Sequence, residues 1–267
     1  MTQSISAQGS VSKLVSDLDA PVRYSLSIGE QLLPLNEWLG RRIRLEAMGS
    51  IHCSHCGKRT KKSYSQGFCY PCMIKLARCD TCIMSPEKCH YDQGTCREPA
   101  WGEQFCMTDH IVYLANSSGL KVGITRASQI PTRWIDQGAT DAIVFARVPN
   151  RYTAGLVEVA MKEHLTDRTN WQRMLKNEVI DADLVATKAS LTGTLDADLR
   201  QFVDTDNTVC SINYPVNQYP EKVKSVGFDK QAEIEGCLAG IKGQYLIFDD
   251  NRVLNIRKHN GYRITIA

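Results

Sequence analysis

Cys53-Ser-His-Cys56-Gly-Lys-Arg-Thr-Lys-Lys-Ser-Tyr-Ser-Gln-Gly-Phe-Cys69-Tyr-Pro-Cys72 is a C-x2-C pair, a spacer of twelve residues, and a second C-x2-C pair. Each pair turns as a tight knuckle that aims two sulfurs at one point, and two knuckles complete the tetrahedron that zinc prefers. The spacing predicts a closed structural zinc site with Cys53, Cys56, Cys69 and Cys72 as ligands. Such a site contributes folding energy and leaves no coordination position open for chemistry. Gly57, directly after Cys56, suits a turn that needs positive φ. The spacer carries Lys58, Arg59, Lys61 and Lys62, a basic tip suited equally to phosphate contact and to a solvated turn.

Moving outward, nine of the eleven cysteines lie between Cys53 and Cys106, with only Cys210 and Cys237 elsewhere. The amino terminus has no basic stretch leading into an apolar run, and no apolar segment reaches membrane-spanning length. A cytoplasmic address is therefore expected, where thiols stay reduced and dense cysteine points to metal before disulfide. The pair Cys79/Cys82 is expected to hold a second zinc together with Cys89 and Cys96. Cys106 and His110, at x3 spacing, are the alternative ligands, and all-thiolate ligation leaves an iron–sulfur cluster open. Hydrophobic content of 43% and charged content of 23% exclude a fibrous class and wholesale disorder. A net charge of +3 decides little, because phosphate binding follows local clustering of Lys and Arg.

At 267 residues the chain is long enough for more than one unit. Residues 1–50 form a β-rich segment, in which Arg23-Tyr-Ser-Leu-Ser-Ile and Arg42-Ile-Arg-Leu-Glu-Ala alternate as half-buried strands do. Residues 51–109 are the cysteine-rich zinc-binding module. Over 110–180 the pattern reads β-β-α-β-α: strands at Ile111–Ala115 and Leu120–Thr125 around Asn116-Ser-Ser-Gly119, a short helix from Ile130 to Gln137, a strand from Ala142 to Val148, and an amphipathic helix from Ala154 to Leu165. Residues 181–267 begin helical and end in short strands. Gly40-Arg-Arg-Ile-Arg-Leu and Gly243-Gln-Tyr-Leu-Ile-Phe echo one another, so the two ends are candidates to pair. The fold class is α+β, with a zinc-knuckle module joined to a small β-β-α-β-α domain and β-rich terminal segments. Trp101, Trp134 and Trp171 read as core.

The central unit carries an ordered polar set: Tyr113 on its first strand, Lys121 and Gly123 on its second, then Arg126, Arg133 on the short helix, Glu158 on the longer helix, and Asn170. With these residues it resembles the GIY-YIG nuclease superfamily. Ile111-Val-Tyr113 stands at the first signature triplet and Lys121-Val-Gly-Ile-Thr125 at the second, closest to the branch reading Lys-Ile-Gly followed by Arg or Lys and Thr. Over residues 110–172 the resemblance implies that Arg133 is the helix arginine, Glu158 the metal-binding glutamate and Asn170 a supporting residue. The chain departs from the pattern at Lys121, where tyrosine is common, and in a first triplet without glycine. The whole chain also resembles a bacterial and archaeal family known as a domain of unknown function, through the cysteine module, Trp134-Ile-Asp-Gln-Gly138 and Gly240-Ile-Lys-Gly-Gln-Tyr245.

Phosphodiester hydrolysis needs an activated water, neutralised phosphoryl oxygens and a stabilised leaving oxygen. Glu158 can hold one Mg²⁺ or Mn²⁺, Arg133 can grip phosphate in a fork, and Tyr113 or Lys121 can act on the water in the field of Lys121 and Arg126. The first expectation is a metal-dependent endonuclease acting on DNA or RNA. A non-catalytic nucleic-acid-binding protein comes second and a thiol redox or metal sensor third. Nucleotide-loop and dinucleotide fingerprints are absent, which disfavours a motor or a dehydrogenase.

Overall fold

The computed structural model describes residues 6–165 and 170–267. The fold is mixed α+β with three sheets, and among the described residues no helix is long and apolar enough to cross a membrane. Two compact units divide the chain, one made of Met1–Met73 with Ile212–Ala267 and the other of Ile74–Ser211. The cysteine-rich stretch is therefore split at residue 73 rather than kept whole over 51–109, and its first four cysteines go with the terminal segments.

Strand pairing explains why the ends of the chain form one unit. The strand Arg42–His52, of which the alternation anticipated Arg42–Ala47, pairs antiparallel with Glu233–Lys242 on one edge and with Tyr262–Ile266 on the other. Its inward residues Ile43 and Leu45 are buried with Ile234, Ile264 and Ile266, each such side chain contributing about 1.5–3 kcal/mol by leaving water. On the exposed side Arg42 pairs with Glu235 and Arg44 with Glu233. The two glycine-led echo segments both lie in this eight-stranded sheet, since Tyr245–Phe248 pairs with the far end of Glu233–Lys242. A three-stranded sheet of Val15–Asp17, Arg23–Ile28 and Gln31–Pro34 belongs to the same unit.

The other unit begins with short 3-10 turns and helix α1 (Pro99–Phe105), followed by β1 (His110–Asn116), β2 (Leu120–Arg126), α2 (Thr132–Asp136), β3 (Asp141–Val148) and α3 (Arg151–Lys162). Helices α4 (Trp171–Leu175) and α5 (Leu184–Thr194) come next, and β4 (Val209–Ser211) completes a sheet of order β4-β3-β1-β2. All seven residues of β1 are buried, as suits an apolar run in the middle of a sheet. Asn150 caps α3, its side-chain oxygen accepting the Thr153 N–H at 2.8 Å, which satisfies an otherwise orphaned helix donor. Ala154, Val157 and Met161, at helical spacing, then pack on Val112, Leu114, Ile143 and Phe145. Trp134 is buried, whereas Trp171 is 36% exposed at the first turn of α4 and is not core.

Candidate metal centre and anion-binding pocket

The four cysteines of the opening motif meet in space. The potential ligand sulfurs of Cys53, Cys56, Cys69 and Cys72 all lie within 4.8 Å of one another, and Cys56 and Cys69 sulfurs are 3.8 Å apart. Tetrahedral zinc with bonds of about 2.3 Å places its sulfurs about 3.8 Å apart. The first knuckle closes through Gly57 N–H donating to the Cys53 carbonyl, with Gly57 at φ +70°. Burial raises the Cys53 thiol, but N–H groups of Cys56, Cys69 and His55 more than offset it and bring the pKa down to about 6. Cys72, by contrast, is pushed up to about 12 by desolvation and by donating to its neighbouring thiols. Four sulfurs this close cannot all ionise without a cation between them. The cluster is a four-cysteine site that could hold a structural zinc ion.

The later cysteines are arranged differently from the expected set. Cys82, Cys89, Cys96 and Cys106 line one small cavity, and Cys79 does not line it. Neither does His110, which is fully buried on β1 with its Nδ1–H donating to the Thr108 carbonyl at 2.7 Å. Burial holds its pKa down to about 4, so it is neutral at ordinary pH.

A second, polar cavity of about 200 Å³ opens where β2, α2 and α3 converge. Lys121, Arg133, Arg151 and Lys162 line it with one carboxylate, Glu158, and Gln137, while Ile83, Met84 and Pro86 form one wall. Glu158 is nearly buried, with Lys162 Nζ 3.5 Å from its Oε2. Lys121 is 5% exposed, and burial, reinforced by Arg133, brings its pKa down to about 7. Arg151 donates from Nη2 to the Ile83 carbonyl at 2.6 Å and from Nε to that of Cys82 at 3.4 Å. Four basic side chains face one carboxylate, an excess of positive charge whose field is strengthened by the pocket's low-dielectric walls.

Of the seven residues singled out in this unit, the structure brings Lys121, Gly123, Arg133 and Glu158 to the pocket. Tyr113 lies beneath it, fully buried, its hydroxyl donating to Gln137 Oε1 at 3.0 Å. It stands opposite Gly123, where a Cβ would come within 2.6 Å of the phenol oxygen. Burial raises the phenol pKa, with Arg133 in partial opposition. Tyr113 thus positions Arg133 and Gln137 and is too sheltered to be the base. Arg126 lies elsewhere, its guanidinium 4.8 Å from the Phe105 ring centre. Asn170 caps α4 through Gln172 and Arg173 N–H groups and donates its own N–H to Ser118. Arg151 and Lys162 escaped the sequence reading. Their signal was spacing alone, since Arg151, Glu158 and Lys162 fall at i, i+7 and i+11 on one helical face.

A family model described as a protein of unknown function (DUF2797) matches residues 40–264. The chain belongs to the DUF2797 family. No curated protein and no solved structure matches it. The part of this DUF2797 chain that the model covers holds both cysteine clusters and every residue of the pocket, and it leaves the strands before residue 40 outside.

Proposed function

We propose that the protein is a nucleic-acid phosphodiesterase whose chemistry takes place in the Lys121–Arg133–Arg151–Glu158 pocket, with structural zinc at Cys53, Cys56, Cys69 and Cys72. The observation that carries this reading is the gathering of four basic side chains around one carboxylate. A backbone phosphate satisfies the positive charge, Arg133 being the planar fork suited to its oxygens while Arg151, held by the Cys82 and Ile83 carbonyls, adds charge beside it. The likeness of β1, β2 and α3 to GIY-YIG nucleases supports the same assignment.

Lys121 is the group best suited to take a proton from the attacking water, because its pKa of about 7 leaves a large neutral fraction at ordinary pH. Water attacks phosphorus as its proton passes to Lys121 Nζ, and the ester P–O bond breaks to release the alkoxide oxygen. Arg133 holds the phosphoryl oxygens during that step. Glu158 fits a divalent ion only with phosphate in place, since a lone carboxylate among four basic side chains is a poor site until an anion enters. What such an ion supplies, once bound, is charge neutralisation at the departing oxygen.

A second reading, anion binding without cleavage, is favoured by Lys162 beside Glu158. The deciding experiment incubates zinc-loaded protein with labelled branched, single-stranded and duplex DNA and RNA in Mg²⁺ or Mn²⁺. Cleavage by wild type and a loss of about 100-fold or more in Glu158→Gln is expected. Salt-sensitive binding by both proteins with cleavage by neither establishes the second reading instead.

A further inference from the structure

Beyond the four cysteines of the opening motif, the molecule gathers four more thiols in a way their spacing does not advertise. Cys82, Cys89, Cys96 and Cys106 are separated by six, six and nine residues. None forms a C-x2-C knuckle with another member of the set. They nevertheless line one cavity of about 10 Å³. Cys106 lies close enough to Cys82, Cys89 and Cys96 to feel the charge of each. We propose that Cys82, Cys89, Cys96 and Cys106 are the ligands of a second zinc ion, and that this ion braces the wall of the anion pocket. The site stands on its own, whatever that pocket turns out to cleave or bind.

The choice of ligands follows from what the neighbouring polar atoms already do. Asp80, Cys82 and His90 also place their potential ligand atoms within 4.8 Å of one another. The Asp80 carboxylate, however, accepts the Thr81 N–H at 2.6 Å on Oδ1 and pairs with Arg97 Nε at 2.7 Å on Oδ2. His90 Nδ1 sits 2.7 Å from Thr95 Oγ1 and its Nε2 3.5 Å from Asp80. Those groups are committed to one another and orient the segment, which leaves the sulfurs to take the ion. Cys96 reaches the cavity because α1 presents bare backbone there: a Cβ at Gly102 would lie 3.2 Å from the Cys96 sulfur and 2.8 Å from the Tyr91 ring. Four thiolates around Zn²⁺ carry two net negative charges, and the Arg151 guanidinium, close to both Cys82 and Cys106, offsets one of them.

The link to the pocket is covalently short. Arg151 donates its backbone N–H to the Cys106 carbonyl at 2.8 Å and its side chain to the carbonyls of Cys82 and Ile83. Ile83, Met84 and Pro86, between the ligands Cys82 and Cys89, are pocket wall. At Gly155 of α3 a Cβ would lie 2.4 Å from Glu87 N, so the same segment presses on the helix one turn before Glu158. An ion tying Cys82 to Cys106 therefore fixes the wall and Arg151 together.

The test counts metal and maps its ligands on the full chain. Elemental analysis of protein purified with zinc is expected to give two zinc per chain, falling to one in Cys106→Ser and in the Cys89→Ser/Cys96→Ser double variant. Cys79→Ser and His90→Ala should keep two. Because a ligand variant can lose metal by misfolding, thiol alkylation of wild type supplies a mutation-free readout. Cys82, Cys89, Cys96 and Cys106 should be protected in the loaded protein and labelled after chelation, with Cys79 labelled in both. One zinc per chain, iron with acid-labile sulfide, disulfides among these cysteines, or loss of the second zinc in Cys79→Ser but not in Cys106→Ser each overturns the proposal.

Discussion

The two cysteine clusters reach similar chemistry by opposite routes. In the first, two knuckles aim the sulfurs, and the Cys56 and Cys69 sulfurs stand at zinc-site separation. In the second, the sulfurs come from a 3-10 turn, the residue ending another, a loop and the end of α1, and they ring a cavity without touching. The first is specified by short-range backbone geometry. The second is specified by packing: Gly155 against the Pro86–Glu87 peptide, Gly102 against Tyr91, and Arg151 across the carbonyls. A site of the first kind fails when its metal leaves, whereas one of the second kind also fails when its supports move.

That difference is open to attack at three points. The largest effect is expected for Cys69→Ser, which removes a buried ligand from a site with no spare. Denaturant unfolding should show a loss of roughly 4 kcal/mol or more together with the zinc, against roughly 0.5 kcal/mol or less for Cys210→Ser, which belongs to neither cluster. A small loss in Cys69→Ser would mean that the first cluster is not held by metal. Next in size is the effect of Lys121, which shares its pocket with the wall that the second cluster carries. Its folded pKa of about 7 lies below the ordinary value of 10.5, so between those pH values the unfolded chain holds the extra proton and stability rises with pH. Below pH 7 both states are charged and this gain is absent. Unfolding followed from pH 7 to pH 9 should therefore show a rise of roughly 2–3 kcal/mol that Lys121→Met abolishes; equal slopes in the two proteins would place Lys121 in water. The smallest is Gly155→Ala. Better helix propensity offsets part of the clash with Glu87 N, leaving about 1 kcal/mol of destabilisation, and amide exchange should quicken over residues 82–89. Unchanged exchange would show that packing does not hold the second cluster.

The same contrast explains what could be read from the sequence. The x2 spacing of Cys53/Cys56 and Cys69/Cys72 encodes local geometry, so that quartet was legible, as were the alternating run Arg42–Ala47 and the β1–β2 hairpin. The second quartet was read as Cys79, Cys82, Cys89 and Cys96 because Cys79 and Cys82 share the x2 spacing, whereas the cavity that tertiary packing creates is lined by Cys82, Cys89, Cys96 and Cys106. Lys121, Arg133 and Glu158 could be singled out in order along the chain. Arg151 could not, because what brings it to the pocket is a pair of carbonyls some seventy residues earlier. The split at residue 73 was hidden for a related reason: strand partners as far apart as Leu45 and Ile266 leave no local mark.

The strand Arg42–His52 draws both of its main partners from the last 35 residues of the chain, Glu233–Lys242 and Tyr262–Ile266. At about 5–20 residues per second, a ribosome needs roughly 10–40 s to supply them. Throughout that interval a nascent β-strand waits with both edges bare except where Ile51 and His52 pair with Thr60 and Arg59, the condition that invites association with neighbouring chains. Arg42, Arg44 and Glu46 guard it by keeping charge along its exposed side. When Glu233 and Glu235 arrive they neutralise the two arginines, so the residues that protect the strand during synthesis become the ones that register its final pairing.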